Sequence, residues 1–113
     1  MKVGVIGLGR FGMFHCLKYK NLVGAELVGV HDSNDLRCRQ TSKQFDCKDY
    51  AIVADLLNNV EAISIVSPTV THFEYAKKAL LKGVHVFVEK PITTNVGEAQ
   101  ELVDLAKENE LVL

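Results

Sequence analysis

A chain of 113 residues corresponds to one domain, and 48% hydrophobic with 24% charged residues is the balance of a globular one. The net charge of −1, with no basic block, argues against a nucleic-acid partner. No apolar run is long enough to span a bilayer and no leader segment precedes the first predicted strand, so we expect a cytoplasmic protein without a membrane partner.

Strand patterns and helix patterns alternate along the chain. The predicted strands are residues 2–6, 26–30, a short piece at 47–50, 62–66, 84–88 and the start of a sixth at 111–113. The predicted helices are residues 10–19, from Ser33 or Asn34 to 45, 52–57, from Thr69 or Thr71 to 82, and one opening at Thr94 or Asn95. This alternation predicts an α/β fold, a doubly wound parallel sheet in one domain at 1–113. Because an apolar strand is only beginning at 111–113, we expect the chain to be part of something longer.

The glycines between the first strand and the first helix form Gly7-x-Gly9-x-x-Gly12. In a strand–turn–helix context, Gly7 permits the tight turn, Gly9 lets backbone approach a pyrophosphate, and Gly12 lets the helix pack closely on the strand. The free N–H groups of the first helical turn, from Arg10 and Phe11 onward, are predicted to bind that pyrophosphate. A glycine-rich turn with no ligand is the alternative.

Asp32 follows the second strand, twenty residues after the third glycine. A carboxylate there would accept hydrogen bonds from both hydroxyls of an adenosine ribose and repel a 2′-phosphate, which favours NAD over NADP. Two alternatives remain open. Asp32 could instead cap the second helix, and Arg37 or Arg39 could reach back and accommodate a phosphate.

Two polar segments follow the fourth and fifth strands, Ser67-Pro68-Thr69 and Glu89-Lys90-Pro91. Ligands of open α/β sheets bind outside the carboxyl ends of the strands at the switch point, where we expect the first, fourth and fifth strands to be neighbours. Both segments are therefore predicted to face the nicotinamide end of a bound dinucleotide.

Lys90 is the candidate for chemistry. A partly buried lysine beside a substrate hydroxyl can orient it and share its proton during hydride transfer, with Glu89 tuning or orienting the ammonium. An exposed loop lysine is the alternative. His72, in the first turn of the fourth helix, is predicted to assist with substrate or cofactor, or else to be a helix-terminus histidine with a backbone partner. His15 is assigned to packing, because no charged partner is evident.

The remaining ligand-type residues show no functional spacing. The cysteines, Cys16, Cys38 and Cys47, are odd in number without a C-x-x-C, which argues against disulfides and for small buried hydrophobes. The four histidines are scattered, so no metal site is predicted.

Taken together, the motifs resemble a known family. Gly7-Leu-Gly-Arg-Phe-Gly12, His15, Asp32, Ser67-Pro68-Thr69-x-x-His72 and Ala79-x-x-x-Gly83-x-His85-Val86-x-Val88-Glu89-Lys90-Pro91 are similar to the N-terminal signature of the glucose–fructose oxidoreductase / inositol dehydrogenase (Gfo/Idh/MocA) family. The resemblance covers essentially the whole chain, and Glu-Lys-Pro is its most specific part. It implies an NAD(P)-dependent oxidoreductase acting on sugars, cyclitols or related polyols, in which Lys90 assists substrate binding and proton transfer.

The resemblance also implies a C-terminal α/β substrate domain that these residues lack. That domain would carry most of the specificity pocket and the oligomer interface, so the 113 residues are expected to bind cofactor without turnover and the full-length protein to be a homo-oligomer. A cis peptide bond is expected before Pro91, aiming Lys90 into the cleft. A non-catalytic NAD-sensing or interaction module with the same fold is the alternative function.

Overall fold

Five strands and five α-helices alternate in the computed structural model, which describes residues 1–113. The strands are β1 (Lys2–Ile6), β2 (Glu26–His31), β3 (Lys48–Asp49), β4 (Ala62–Ile65) and β5 (His85–Val88). The helices are α1 (Arg10–Asn21), α2 (Asp35–Phe45), α3 (Val53–Leu57), α4 (His72–Leu81), which a 3₁₀ turn at Thr69–Thr71 precedes, and α5 (Val96–Glu108). None of these helices has the length and apolar character needed to cross a lipid bilayer.

All five strands are parallel and form one sheet in the order β3-β2-β1-β4-β5. The expectation of a doubly wound α/β fold is confirmed, as is the expectation that β1, β4 and β5 are neighbours. The chain runs outward from β1 to β3, then returns past β1 to β4 and β5. The switch point therefore lies between the carboxyl ends of β1 and β4, where ligands of such sheets bind.

Each face of the sheet has its own apolar cluster. Val5 belongs to the cluster under α1 and α2, while the next residue, Ile6, belongs to the cluster under α3, α4 and α5, because side chains alternate along a strand. All three cysteines are free and lie in or against the first cluster. Burial raises the pKa of the Cys16 thiol to about 12 and that of Cys47 to about 11.

Residues 111–113 do not form the predicted sixth strand. Val112 lies beside β5: its carbonyl accepts a hydrogen bond from the Val86 N–H at 2.9 Å, and its N–H donates to His85 Nδ1 at 3.0 Å. Because one backbone bond does not make a ladder, the segment pairs with the sheet edge without extending it. At the other end of the chain, α1 is longer than predicted and continues to Asn21.

The helix N-termini differ in how they are capped. The Oδ1 atoms of Asn34 and Asn95 accept the N–H groups of Arg37 and Glu98, at 3.0 and 2.8 Å, at the starts of α2 and α5. The predicted threonine cap of the fourth helix is wrong, because that helix begins with a 3₁₀ turn and the Thr71 hydroxyl bonds to the Pro68 carbonyl. At α1, Gly9 occupies the cap position with no side chain, and the first turn has no acid.

Candidate functional site

The turn between β1 and α1 requires two of its glycines for folding. Gly7 has φ 94°, in the region that favours glycine, and its N–H donates to the His31 carbonyl at 2.9 Å. A Cβ on Gly12 would overlap the Gly7 carbonyl, so the helix reaches this close only without a side chain there. A Cβ on Gly9 would meet no atom within 4 Å. Gly9 therefore leaves an open approach to the backbone.

The N-terminus of α1 supplies unused donors beside that opening. The first hydrogen bond of the helix is the one from the Met13 N–H to the Gly9 carbonyl, at 3.0 Å, so the preceding amides have no partner within the helix. Arg10 and Phe11 are exposed there. Free amides at the positive end of a helix dipole form an anion site, which is the feature a pyrophosphate needs.

Asp32 ties this turn to the end of β2. Its Oδ2 accepts the Leu8 N–H at 2.7 Å, its Oδ1 accepts the Asn34 N–H at 2.8 Å, and the residue is 9% exposed. A carboxylate has about four acceptor positions, so capacity remains for ligand hydroxyls. Asn34 caps α2, so the capping alternative for Asp32 is wrong. Arg37 does reach back, with Nη1 at 3.6 Å from Asp32 Oδ2.

A cleft of about 390 Å³ joins these groups to the ends of β4 and β5. Its volume falls within the range of about 300–1,000 Å³ typical of small-molecule sites. The cleft contains every predicted site residue except Arg10 and Gly12. Its lining is Gly7, Leu8, Gly9, Phe11, Asp32, Arg37, Val66, Ser67, Pro68, Thr69, His72, Glu89 and Lys90.

Lys90 lines the cleft but is not partly buried as expected. It is exposed, and its ammonium makes no hydrogen bond or ion pair, because the segment follows β5 at the edge of the sheet. The Lys90–Pro91 bond is cis, as the resemblance implied. The catalytic role of Lys90 stays a prediction.

Glu89 pairs with a residue that the sequence assigned to packing. Its N–H continues the pairing of β4 and β5 by donating to the Ile65 carbonyl at 3.1 Å. Its Oε1 lies 3.4 Å from His15 Nε2, and no ion pair joins it to Lys90. The prediction that His15 lacks a charged partner is wrong. The partners are 74 residues apart in sequence; the only signal for His15 was its place in the family motif.

His72 bridges the two segments at the cleft. It is 2% exposed, with Nε2 at 2.7 Å from the Ser67 carbonyl and Nδ1 at 3.0 Å from the Pro91 carbonyl. Both partners are backbone carbonyls, as expected for the alternative that His72 is a helix-terminus histidine with a backbone partner. Since carbonyl oxygens only accept, a neutral ring satisfies one of them and a protonated ring satisfies both. Its contact with cofactor or substrate stays a prediction.

The glycine turn, the open helix N-terminus and the carboxylate after β2 define a dinucleotide-binding domain of the Rossmann type. No three His, Cys, Asp or Glu side chains are grouped to hold a metal ion. All 113 residues match the model described as "Oxidoreductase family, NAD-binding Rossmann fold", and the chain belongs to this family, Gfo/Idh/MocA.

Several relatives are dehydrogenases. The chain is 42% identical over 113 residues to UDP-N-acetylglucosamine 3-dehydrogenase from Acidithiobacillus ferrooxidans, covering all of this chain and 36% of the relative. It is 31% identical over 116 residues to myo-inositol 2-dehydrogenase from Thermotoga maritima, covering 100% and 35%. The chain thus spans about a third of the length of these curated relatives.

Solved structures agree with the fold. A structure of the Acidithiobacillus ferrooxidans enzyme superimposes with a TM-score of 0.96 over 100% of this chain and 37% of that one, at 42% identity. GenD2 from gentamicin A biosynthesis, in complex with NAD, gives 0.96 at 25% identity over 100% and 33%. KijD10, a 3-ketoreductase from Actinomadura kijaniata in complex with NADP, gives 0.93 at 28% identity over 100% and 36%. Both nicotinamide dinucleotides therefore occur among similar structures.

Proposed function

We propose that these residues are the cofactor domain of a dehydrogenase that transfers hydride between a nicotinamide and a hydroxyl or carbonyl of a sugar, cyclitol or related polyol. The observation that carries the proposal is one cleft holding both the open N-terminus of α1 and Lys90. The sugar and inositol dehydrogenases among the relatives support the substrate class. Because the chain spans about a third of their length, we place the substrate domain in the part it does not cover, and expect cofactor binding without turnover from these residues alone.

The residues of the cleft fit a dinucleotide. The amides at the start of α1 would hold the pyrophosphate where Gly9 leaves space, and the Asp32 carboxylate would accept the ribose hydroxyls. The bound nicotinamide would supply or accept the hydride. A fixed carboxylate at this point favours NAD, and Arg37 beside it is the feature that a 2′-phosphate of NADP would use.

Lys90 would handle the proton that accompanies hydride transfer. Its ammonium is a mobile point charge with three donors and has no partner in the protein, so it is free to meet a substrate hydroxyl. Glu89 and Ser67-Pro68-Thr69 would line the nicotinamide side of the same cleft. A homo-oligomeric state of the full-length protein and a cytoplasmic location stay predictions.

Titration with NADH and NADPH, followed by fluorescence, tests the cofactor assignment. We expect NADH to bind at least about tenfold more tightly, a difference of about 1.4 kcal/mol. Asp32→Ala should abolish most of that preference, whereas Asp35→Ala, which removes a nearby exposed acid of α2, should preserve it. Tighter binding of NADPH by the unaltered chain would overturn the assignment.

The role of Lys90 is tested in the full-length protein. Lys90→Ala should lower kcat by about 10²–10⁴, the range for loss of a proton-transfer group. Lys107→Ala, an exposed lysine of α5, serves as the matched control. Turnover at a near-normal rate in the Lys90 variant would remove Lys90 from the mechanism.

A non-catalytic NAD-sensing module is the second candidate, and the exposed position of Lys90 is the observation that favours it. The two functions differ in what Lys90→Ala changes. A sensor would keep its NADH affinity and have no turnover to lose, whereas the dehydrogenase would lose turnover.

A further inference from the structure

The two residues that flank Lys90 each contact a different histidine. The Glu89 carboxylate lies 3.4 Å from Nε2 of His15, which belongs to α1. The Pro91 carbonyl lies 3.0 Å from Nδ1 of His72, which opens α4. Because α1 and α4 cover opposite faces of the sheet, the segment is held from both sides. Lys90 itself, between the two held residues, has no polar partner.

Each histidine is anchored through its other ring nitrogen on β4 or just beyond it. His15 Nδ1 lies 3.1 Å from the hydroxyl of Ser64, a fully buried residue of β4 that also bonds to the Tyr19 hydroxyl. His72 Nε2 lies 2.7 Å from the Ser67 carbonyl, and the ring donates to the Ser67 and Pro91 carbonyls together when it is protonated. A buried hydroxyl with two side-chain partners is a fixed point, since leaving it unpaired is costly. Each histidine therefore links β4, or the loop that follows it, to the segment that follows β5.

We infer that His15 and His72 are positioning residues for Lys90. Together they fix the backbone on both sides of it, and His15 also keeps the Glu89 carboxylate on the α1 side and away from the Lys90 ammonium. An unpaired ammonium at the cleft is then available to a substrate hydroxyl. The catalytic value of this arrangement rests on the proposed function, whereas the arrangement itself is tested without cofactor or substrate.

Substituting each histidine with asparagine or glutamine tests its two hydrogen bonds one at a time. The terminal amide of Gln reaches about as far as Nε2 and that of Asn as far as Nδ1, and both can donate. At position 15, Gln therefore keeps the bond to Glu89 and Asn keeps only the bond to Ser64. At position 72 the order is reversed, since Asn keeps the bond to Pro91 and Gln keeps only the bond to Ser67. A role confined to general stability would not reverse the order between the two positions.

The first measurement is amide hydrogen exchange by NMR on the chain without ligand. We expect His15→Asn and His72→Gln to speed exchange of the Glu89 N–H about five- to tenfold, relative to the amides of β1 in the same sample. His15→Gln and His72→Asn should stay within about twofold of the unaltered chain. Three results would each overturn the inference. The exchange rate of the Glu89 N–H could be faster with the same substitution, Asn or Gln, at both positions; it could rise equally with Asn and Gln at one position; or it could rise in none of the four variants.

The second measurement is acylation of Lys90 by limiting acetic anhydride, read by mass spectrometry against Lys107 as the internal reference. In His15→Asn the released Glu89 carboxylate should pair with Lys90 and favour its charged, unreactive form, lowering acylation about threefold. His15→Gln should preserve the rate, and so should His15→Asn when combined with Glu89→Gln. Unchanged acylation in His15→Asn would contradict the separation of Glu89 from Lys90. A normal turnover in Lys90→Ala would instead contradict only the proposed function.

Discussion

The two ends of the cleft differ in the chemical groups that form them. At the end formed by β1, α1 and β2, the groups at the cleft are backbone amides and one carboxylate that accepts two N–H groups. At the end formed by β4 and β5, His72 joins the two loops that follow these strands, and His15 joins the second loop to β4. The glycine turn of the first end is local in sequence, although Asp32 joins it across 24 positions. At the second end, the two bonds of His15 span 49 and 74 positions. We therefore expect the first end to be most sensitive to substitutions that change backbone geometry. The second end should be most sensitive to substitutions that remove a single side-chain hydrogen bond.

The largest effect is expected from Gly12→Ala. Its Cβ would overlap the Gly7 carbonyl, so α1 must move away from the turn. Such overpacking costs about 1–3 kcal/mol, and the midpoint of thermal unfolding should fall by about 5–15 °C. Gly97→Ala, in the first turn of α5, has only an ordinary contact to meet and should leave the midpoint unchanged or higher. Equal midpoints for Gly12→Ala and the unaltered chain would contradict this account of the first end.

Gly9→Ala should separate ligand binding from folding. The position has φ −74° and open space for a Cβ, so thermal stability should change little. The methyl group would occupy the approach to the α1 amides, and NADH affinity should fall about 10- to 100-fold, or about 1.4–2.8 kcal/mol. Fluorescence titration and thermal unfolding of the same sample check both halves. Unaltered affinity would show that no ligand approaches the backbone here.

The contrast between the ends also decides what the sequence could predict. Gly7, Gly9 and Gly12 were assignable because one turn and its two flanking elements dictate their geometry within a few residues. The alternation of strands and helices likewise implied the parallel sheet. The bond between His15 and Glu89 was missed because it forms only when the folded sheet brings α1 beside the residue that follows β5, across 74 positions.

Exposure and strand ends were harder for a related reason. The exposure of Lys90 depends on what covers the sheet edge, which no local pattern encodes. The three apolar residues at 111–113 have the composition of a strand, but strand formation also requires a register of backbone bonds with a neighbour, and only one such bond forms. Side-chain patterns therefore predict the burial of a segment better than they predict the pairing of its backbone groups.

Ser64→Ala should have a moderate effect confined to the second end. Removing this buried hydroxyl leaves His15 Nδ1 and the Tyr19 hydroxyl without their shared partner, at a cost of about 1–2 kcal/mol. The Ser33→Ala variant, an exposed serine after β2, should stay within about 0.5 kcal/mol of the unaltered chain. Urea unfolding measures both. NADH affinity should decline less than in Gly9→Ala, and a larger decline would mean that the two ends are not built independently.

The effect that is smallest at neutral pH concerns the buried thiols of the core beneath the first end, because they change stability only under alkaline conditions. Burial raises the pKa of Cys16 from 9.0 to about 12 and that of Cys47 from 9.0 to about 11, and it raises the pKa of Cys38 as well. In the unfolded chain the thiols lose protons near pH 9, while the folded thiols stay neutral. The unfolded state therefore binds fewer protons between pH 9 and about 11–12, so the free energy of unfolding should fall across that range and be insensitive to the thiols below it.

Urea unfolding from pH 7 to 10 measures this loss, and Cys47→Ala should make it shallower. All three cysteines pack in or against the cluster under α1 and α2, and the cluster on the other face has none. Alkaline conditions therefore weaken the cluster that supports the glycine turn and His15 of α1, whereas His72 lies on α4 against the other cluster. A profile equally steep in Cys47→Ala would assign the alkaline loss to groups other than the Cys47 thiol.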